Sequence, residues 1–401
     1  MRTYVPAAKT ILAQPLDLPC GAQLKNRLIK AAMSDSLGDG EGNPTQTQMR
    51  LYERWAEGGA ALTIIGEVQT TPDFPEKPGN LVLALGANTT MLQKLATRGS
   101  VNNADIWPQL GHAGALSHGP ISKPKGPSSL NVSGLRCEGM ALAEIEELPE
   151  NYARAAALAR KVGFKGVQIH AGHGFLFSQF LSPLFNHRTD AYGGSVAGRF
   201  RVIAETIHAV RHAVGEAFPI GIRINATDKL VGGLTEDEAL QVVRLLDRTS
   251  IDLIDVSGGT YFPGAPSSSD SAAGSGPYFL SFAKRAKAIT SIPIMLTGGF
   301  KTREEAVSAI DTGTADAVGL ARSMVLDPAL PNNWLGEPHN DPKFPRFDAT
   351  VPGGVTAWYS MRLTALGEDN ETSFKQSLPA ALEAYEARDA ERCTRWQEKF
   401  S

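Results

Sequence analysis

The chain has little cysteine: Cys20, Cys137 and Cys393 are the only three among 401 residues, far apart and with no Cys-x-x-Cys pair. That excludes a disulfide framework, a zinc knuckle and a cysteine-ligated iron–sulfur cluster as organising features. Charge of one sign is equally scarce. The formal net charge is −3 at pH 7 and no basic run occurs, so neither nucleic acid nor an anionic membrane is an expected partner. No apolar run approaches the roughly 18 residues of a membrane span. The opening MRTYVPAAKT lacks the apolar centre of a signal peptide, so the expected location is cytoplasmic. A Gly-x-Gly-x-x-Gly fingerprint after an early strand is also missing. Gly38-Asp39-Gly40-Glu41-Gly42 has the wrong spacing, which speaks against a Rossmann fold.

What is present is a rhythm. With 42% hydrophobic and 20% charged residues the chain can bury a sizeable core. Short runs rich in Val, Ile and Leu alternate with longer segments of helical period, the pattern of a parallel sheet with crossover helices. Eight strands are expected: Arg27–Met33, Ala61–Gly66, Ala104–Leu110, Gly166–His170, Ile220–Ile224, Asp252–Val256, Pro293–Thr297 and Ala315–Gly319. Helices are expected over Tyr152–Lys161 and Glu236–Asp247, the latter with Thr235 as N-cap and Ala239, Val242, Val243 and Leu246 on one stripe. This repetition predicts an α/β fold, a closed (β/α)8 TIM barrel with a C-terminal helical extension. The expected division is a barrel over residues 1–330 and an extension over 331–401. The extension reads as a Pro/Asn-rich linker from Pro331 followed by helices, with Val355–Leu366 packed on the barrel or on a neighbouring subunit, so a homodimer is allowed. The Gly/Ser-rich loop Gly258–Gly276 is long enough to act as a lid.

In such barrels chemistry sits where strands end. The ends here present Ala32, Met33 and Ser34; Gly66 and Glu67; Gln109 and His112; His170 and His173; Arg223; Ser257; Gly298 and Gly299; and Arg322. Gly298-Gly299 and Ala321-Arg322, after the last two strands, suit a phosphate held by backbone N–H groups, a helix N-terminus and a guanidinium. Gln109 can donate and accept at once, which suits the edge of a heterocyclic imide. Arg223 suits a planar group that becomes negative. Phosphate, imide edge and developing anion together describe flavin mononucleotide. No lysine stands at the end of the sixth strand, where a Schiff-base aldolase would want one.

Three stretches carry a resemblance. They are NRLIKAAMS (Asn26–Ser34), PQLGHAG around Gln109, and HAGHGFLFSQFLSPLFNHRTDAYGGS (His170–Ser195) with the following Arg199. Together they resemble the Old Yellow Enzyme family of flavin-dependent NAD(P)H oxidoreductases over about Leu18–Leu330, closer to its dienoyl-CoA-reductase-like and bacterial branches than to the yeast branch. The resemblance implies FMN at the strand ends, NADPH or NADH as hydride donor, and a small-molecule substrate such as an enone, enal or nitroalkene. It implies that Ala32 and Met33 contact the flavin through their backbone and that Ser34 bonds its C4 carbonyl side. Relatives usually carry threonine or cysteine at Ser34. Gly66 would let the ring approach, Gln109 would hold the pyrimidine edge, and Arg223 would sit near N1. Gly298, Gly299, Ala321 and Arg322 would hold the phosphate, with Ala321 replacing the usual glycine.

In that setting VQIHAGHGF acquires a role. Negative charge develops on the substrate oxygen as hydride reaches carbon, and neutral His170 and His173 each offer an N–H as an oxyanion clamp. The competing reading of His-x-x-His is a metal site completed by Glu67 and His112. No metal is expected, because a flavin would already fill that face. Phe175 departs from the family, where a tyrosine usually delivers the proton to carbon. Tyr261 or Tyr278 of the lid loop could substitute, or water could. Without a good acid the reaction could turn into a redox-neutral isomerisation or another FMN-barrel reaction. A catalytically silent flavin-binding barrel is the reading from a different class.

Overall fold

The structure, a computed structural model, describes residues 8–132, 134–265, 276–347 and 351–400. Eight parallel strands close on themselves: β1 (Leu28–Ser34), β2 (Leu62–Gln69), β3 (Asp105–Gly111), β4 (Val167–Ala171), β5 (Ile220–Asn225), β6 (Leu253–Ser257), β7 (Ile294–Thr297) and β8 (Ala317–Leu320). Closure comes from β8 pairing with β1, Val318 opposite Leu28. Each strand is buried on both faces, which is why the runs read as continuously apolar. The expected strands are all present, and β2 continues past Gly66 to Gln69.

The main helices that follow the strands are α1 (Gln46–Glu57), α2 (Thr89–Gly99), α3 (Leu142–Lys161), α4 (Val196–Val214), α5 (Glu236–Leu246), α6 (Leu280–Lys287), α7 (Arg303–Asp311) and α8 (Arg322–Leu326), with a further short helix over Leu176–Leu181 after β4. In α5 the Thr235 hydroxyl accepts the Glu238 N–H at 3.3 Å, while the Glu238 carboxylate accepts the Thr235 N–H at 3.1 Å. This reciprocal cap fixes the start, and the expected apolar stripe is buried. Helix α3 corrects the sequence expectation by beginning at Leu142 instead of Tyr152. Glu144 accepts the Ala141 N–H at 2.8 Å, and burial of Ile145 and Leu148 carries the helix through Pro149.

The core has two layers. One lies between strands and helices. The other fills the barrel interior, where Ile29, Ala31, Leu62, Ile64, Trp107, Leu253, Met295 and Ala317 pack together. Trp107 is the largest of these, and Gly166 and Gly221 make room for it. A Cβ on Gly166 would come within 2.5 Å of the indole. Leu16, Leu18 and Leu24, from the hairpin that precedes β1, join this cluster and seal the N-terminal end of the barrel. The C-terminal ends of the strands face away from this cover.

The stretch from Pro331 is not a linker at its start. It lies in a short helix, Leu330–Leu335, with Pro331 in the first turn, where no N–H is needed, and Trp334 fully buried. Helix α9 (Gly354–Gly367) adds Tyr359, Leu363 and Leu366 to the outer core. Helix α10 (Leu378–Phe400) packs on α9 and reaches back to the loop after β1, where Arg392 donates to the Ser36 carbonyl. Among the described residues no helix is long and apolar enough to cross a membrane.

Candidate active site

Strand register brings the chemistry together. Gln168 lies opposite Gln109, His170 opposite Arg223, and Arg223 opposite Asp255. Side chains on facing positions then touch. Gln109 Nε2 donates to Gln168 Oε1 at 2.6 Å, and Gln168 Nε2 donates to Asp255 Oδ2 at 3.2 Å. Asp255 also accepts from Arg223 Nε and from the Thr297 hydroxyl, each at 2.6 Å. Arg223 Nη1 donates to the Ala32 carbonyl at 3.1 Å, whereas its Nη2 is buried with no partner. A buried cation aligned by a carboxylate, with one donor left over, is built to meet an anionic acceptor.

Next to this network stands the histidine pair. His170 is the penultimate residue of β4; its Nδ1 is hydrogen-bonded to Glu67 Oε1 and its Nε2 lies 3.1 Å from His173 Nδ1. His173 Nε2 is in turn 3.0 Å from the Ser257 hydroxyl. His173 sits at φ +59°, held there by its N–H to Asn225 Oδ1 at 2.9 Å and by its carbonyl, which accepts the Tyr261 N–H at 3.0 Å. Burial, helped by the Arg223 charge, pushes both imidazoles well below the usual histidine range, so both are neutral. Glu67 is buried beside them, and desolvation pushes its carboxyl up to about 8 against the pull of Arg223.

Phe175 presents its ring to the pair, 5.0 Å from the His170 ring at 62°. Tyr261 is 5.9 Å from the Phe175 ring and 6.0 Å from the His173 ring, and is largely exposed. The two lid tyrosines thus separate. Tyr278 packs against Gly298 instead, and its N–H donates to the Gly298 carbonyl at 3.2 Å. Of the Gly258–Gly276 lid, residues 266–275 lie outside the described residues. His112 is not part of the pair either. Its Nδ1 accepts the Gly114 N–H at 3.0 Å, its ring stacks on Phe74 at 4.4 Å, and burial pushes it down to about 3.

Gly66 borders the same space. A Cβ there would come within 3.1 Å of Ala32 Cβ and 3.2 Å of Gln109 Oε1. Ser34, expected to face a flavin carbonyl, donates its hydroxyl to Glu76 Oε2 at 2.7 Å. At the ends of β7 and β8 the backbone takes over. Gly298 and Gly299 adopt φ of +113° and +88°, and a Cβ on Gly299 would meet the Gly276 carbonyl at 2.3 Å. Ala321 precedes the five-residue α8, and the Arg322 guanidinium lies 5.4 Å from the Tyr359 ring of α9. An orphaned guanidinium nitrogen, a glycine-lined wall and a positive-φ glycine pair beside an arginine fit a flavin carrying a phosphate.

Sequence reasoning missed Gln168, Asp255 and Glu76. The first two were visible only as polar residues alternating within apolar runs, VQIHA and DLIDV. Conversely, much of the long stretch after the histidines is scaffold. Asn186 Nδ2 donates to the Phe180 and Tyr192 carbonyls at 2.9 and 2.8 Å. Arg188 ties the loop to Pro127 and Met140, and Arg199 joins the Leu181 carbonyl to Glu238 of α5.

Comparison with known proteins agrees with this geometry. The profile of the NADH:flavin oxidoreductase / NADH oxidase family matches residues 12–334. The NADH-dependent flavin oxidoreductase iliE of Hypocrea jecorina (strain QM6a) is 34% identical over 353 residues, which is 80% of this chain and 88% of the relative. The 2-naphthoyl-CoA reductase, solved with 2-naphthoyl-CoA, superposes with a TM-score of 0.76 at 26% identity, over 81% of this chain and 52% of that one. An Old Yellow Enzyme homologue from Zymomonas mobilis shares the fold, with a TM-score of 0.71 at 22% identity over 82% of this chain and 94% of that one.

Proposed function

Because the chain belongs to the NADH:flavin oxidoreductase / NADH oxidase family and is an NAD(P)H-dependent flavin oxidoreductase on an Old Yellow Enzyme barrel, we propose that it binds FMN at the strand ends and reduces activated C=C bonds of α,β-unsaturated carbonyl or nitro compounds. The observation that carries this reading is the neutral His170–His173 pair set beside the aligned Arg223. When bound, the flavin supplies a hydride taken from NADPH or NADH.

The chain's residues do the rest. Arg223 brings a fixed positive charge and its unpartnered Nη2 to the buried wall formed with Gly66, Ala32 and Gln109. Gly298, Gly299, Ala321 and Arg322 supply backbone and charge for a phosphate, and Met33 and Ser34 border the ring side. The histidine pair holds the oxygen of an enone, enal or nitroalkene, and one such donor contributes ~3 kcal/mol to a developing oxyanion. Phe175 packs on His170 but has no proton to give. Tyr261, in ring contact with both Phe175 and His173, is the proton donor to carbon.

The experiment separates these roles. His170→Ala and His173→Ala should each weaken binding of phenolates, read from their charge-transfer bands with the flavin; unchanged affinity in both variants removes the clamp. Tyr261→Phe should slow reoxidation by a cyclic enone by roughly 10²-fold and leave reduction by NADPH unchanged. Adding Phe175→Tyr to that variant should restore the enone rate. An enone rate indifferent to Tyr261 would point to water, or to isomerisation in place of net reduction.

A further inference from the structure

We propose that Glu67, by holding or releasing one proton, sets which ring nitrogens of His170 and His173 carry hydrogen and so gates the two-donor clamp; the inference rests on the clamp of the proposed function. Glu67, His170, His173 and Ser257 form an unbranched line of hydrogen bonds, with 3.1 Å between the imidazoles and 3.0 Å from His173 to the serine. A neutral imidazole has one N–H and one lone pair. Every proton in the line therefore points the same way.

With Glu67 ionised, its carboxylate takes the Nδ1–H of His170. His170 Nε2 then accepts the Nδ1–H of His173, and His173 Nε2 accepts the Ser257 hydroxyl. His170 has no proton left for a substrate oxygen, and His173 can offer one only by abandoning His170. With Glu67 protonated, the direction reverses. The carboxyl O–H donates to His170 Nδ1, and both rings carry their proton on Nε2. Either can then exchange its neighbour in the line for an oxyanion.

The surroundings of Glu67 favour the protonated form. The carboxyl is buried, and its Oε2 has no hydrogen-bond partner, an arrangement that suits the neutral acid better than a carboxylate. The space is reserved for it, since a Cβ on Gly111 would come within 2.0 Å of Oε2. The groups that face it are His170 from β4, Arg223 from β5, Tyr152 from α3, Glu76 from the loop after β2 and Tyr261 from the loop after β6. Arg223 alone pulls toward ionisation, and burial outweighs it, leaving Glu67 with its proton up to about pH 8.

The test uses the flavin-loaded protein with 15N-labelled histidine, assigned through His170→Asn and His173→Asn. Between about pH 6 and 10 the parent should move its imidazole protons from Nε2 to Nδ1 in one transition. Pentafluorophenol, ionised throughout that range, should bind roughly tenfold more weakly per pH unit above the transition. Glu67→Gln, whose amide can still donate to His170 Nδ1, should keep both rings in the Nε2–H form and bind the phenolate with a flat profile. Tautomers that stay fixed in the parent, or a Glu67→Gln profile that follows the parent, would overturn the proposal. A tautomer switch with no change in phenolate affinity supports the role of Glu67 and removes the clamp itself.

Discussion

Within β3 to β7 the side chains of Gln109, Gln168, Asp255, Arg223 and Thr297 hold one another in a buried hydrogen-bonded network that branches at Asp255, with no link longer than 3.2 Å. At the ends of β7 and β8 the backbone of Gly298, Gly299 and Ala321 and the single side chain of Arg322 lie only half-buried. In the first region each of these side chains is the partner of another, and losing one leaves a buried neighbour unpaired. The second is shaped by backbone conformation, and its one charge can be removed without orphaning a neighbour. Under the proposed function the same contrast would divide ring chemistry, which needs charge aligned within ångströms, from phosphate anchoring, which needs open N–H groups and a cation.

Removing Arg223 tests the contrast most severely. Arg223→Ala leaves Asp255 buried without its cation, and such losses cost about 3–5 kcal/mol, to be read from denaturant unfolding. Bound flavin in that variant should also show a lower reduction potential. Stability within about 1 kcal/mol of the parent would break the comparison, because the network would then not depend on its central ion pair. Arg322→Ala should act on affinity instead. A charged hydrogen bond of about 1.5–3 kcal/mol corresponds to FMN binding weakened roughly 10- to 100-fold. Riboflavin, which lacks the phosphate, should bind both proteins alike. Equal losses for both ligands would show that Arg322 serves the ring or the Tyr359 packing instead.

The remaining expected effect is a slope, small over any one pH unit. Glu67 has an ordinary carboxyl value of 4.5 when unfolded and about 8 when folded. Between those values the folded protein keeps a proton that the unfolded chain has released, so stability falls as pH rises, by at most ~1.4 kcal/mol per unit. Glu67→Gln has no proton to lose. It should match the parent below the window, gain on it across the window, and stay ahead by a constant amount above it. Unfolding curves at three pH values measure this, and parallel behaviour of the two proteins would place the ring-end proton elsewhere.

Much of the fold could be read before any coordinates. Doubly buried parallel strands leave uninterrupted apolar runs, and a residue at the end of such a run must lie at the end of the barrel. That is why His170, Arg223, Gln109 and Gly298 could be placed on one face from their positions alone. The start of α3 could not, because Pro149 masks a helix whose first turns are held by burial of Ile145 and Leu148. Nor could the linker, since Pro331 reads as a break although it occupies a first helical turn. The stretch from Asn186 to Arg199 proved largely to be scaffold, through the side chains of Asn186, Arg188 and Arg199.

The sequence by itself determined the barrel, the end at which its polar strand-end residues gather and the two histidines, while the missing hydroxyl at Phe175 is legible only through the family resemblance. The barrel, that end and the histidines follow from periodicity and residue type, which are local properties of the chain. Only the tertiary structure decided that His170 meets Glu67, 103 residues away, that Arg223 is aligned by Asp255, and that Tyr261 and not Tyr278 reaches the histidine pair. Strand register and burial set those partnerships. A hydrogen bond, or a proton held by desolvation, depends on what lies within a few ångströms in space, and neighbours in the folded barrel are strangers along the chain.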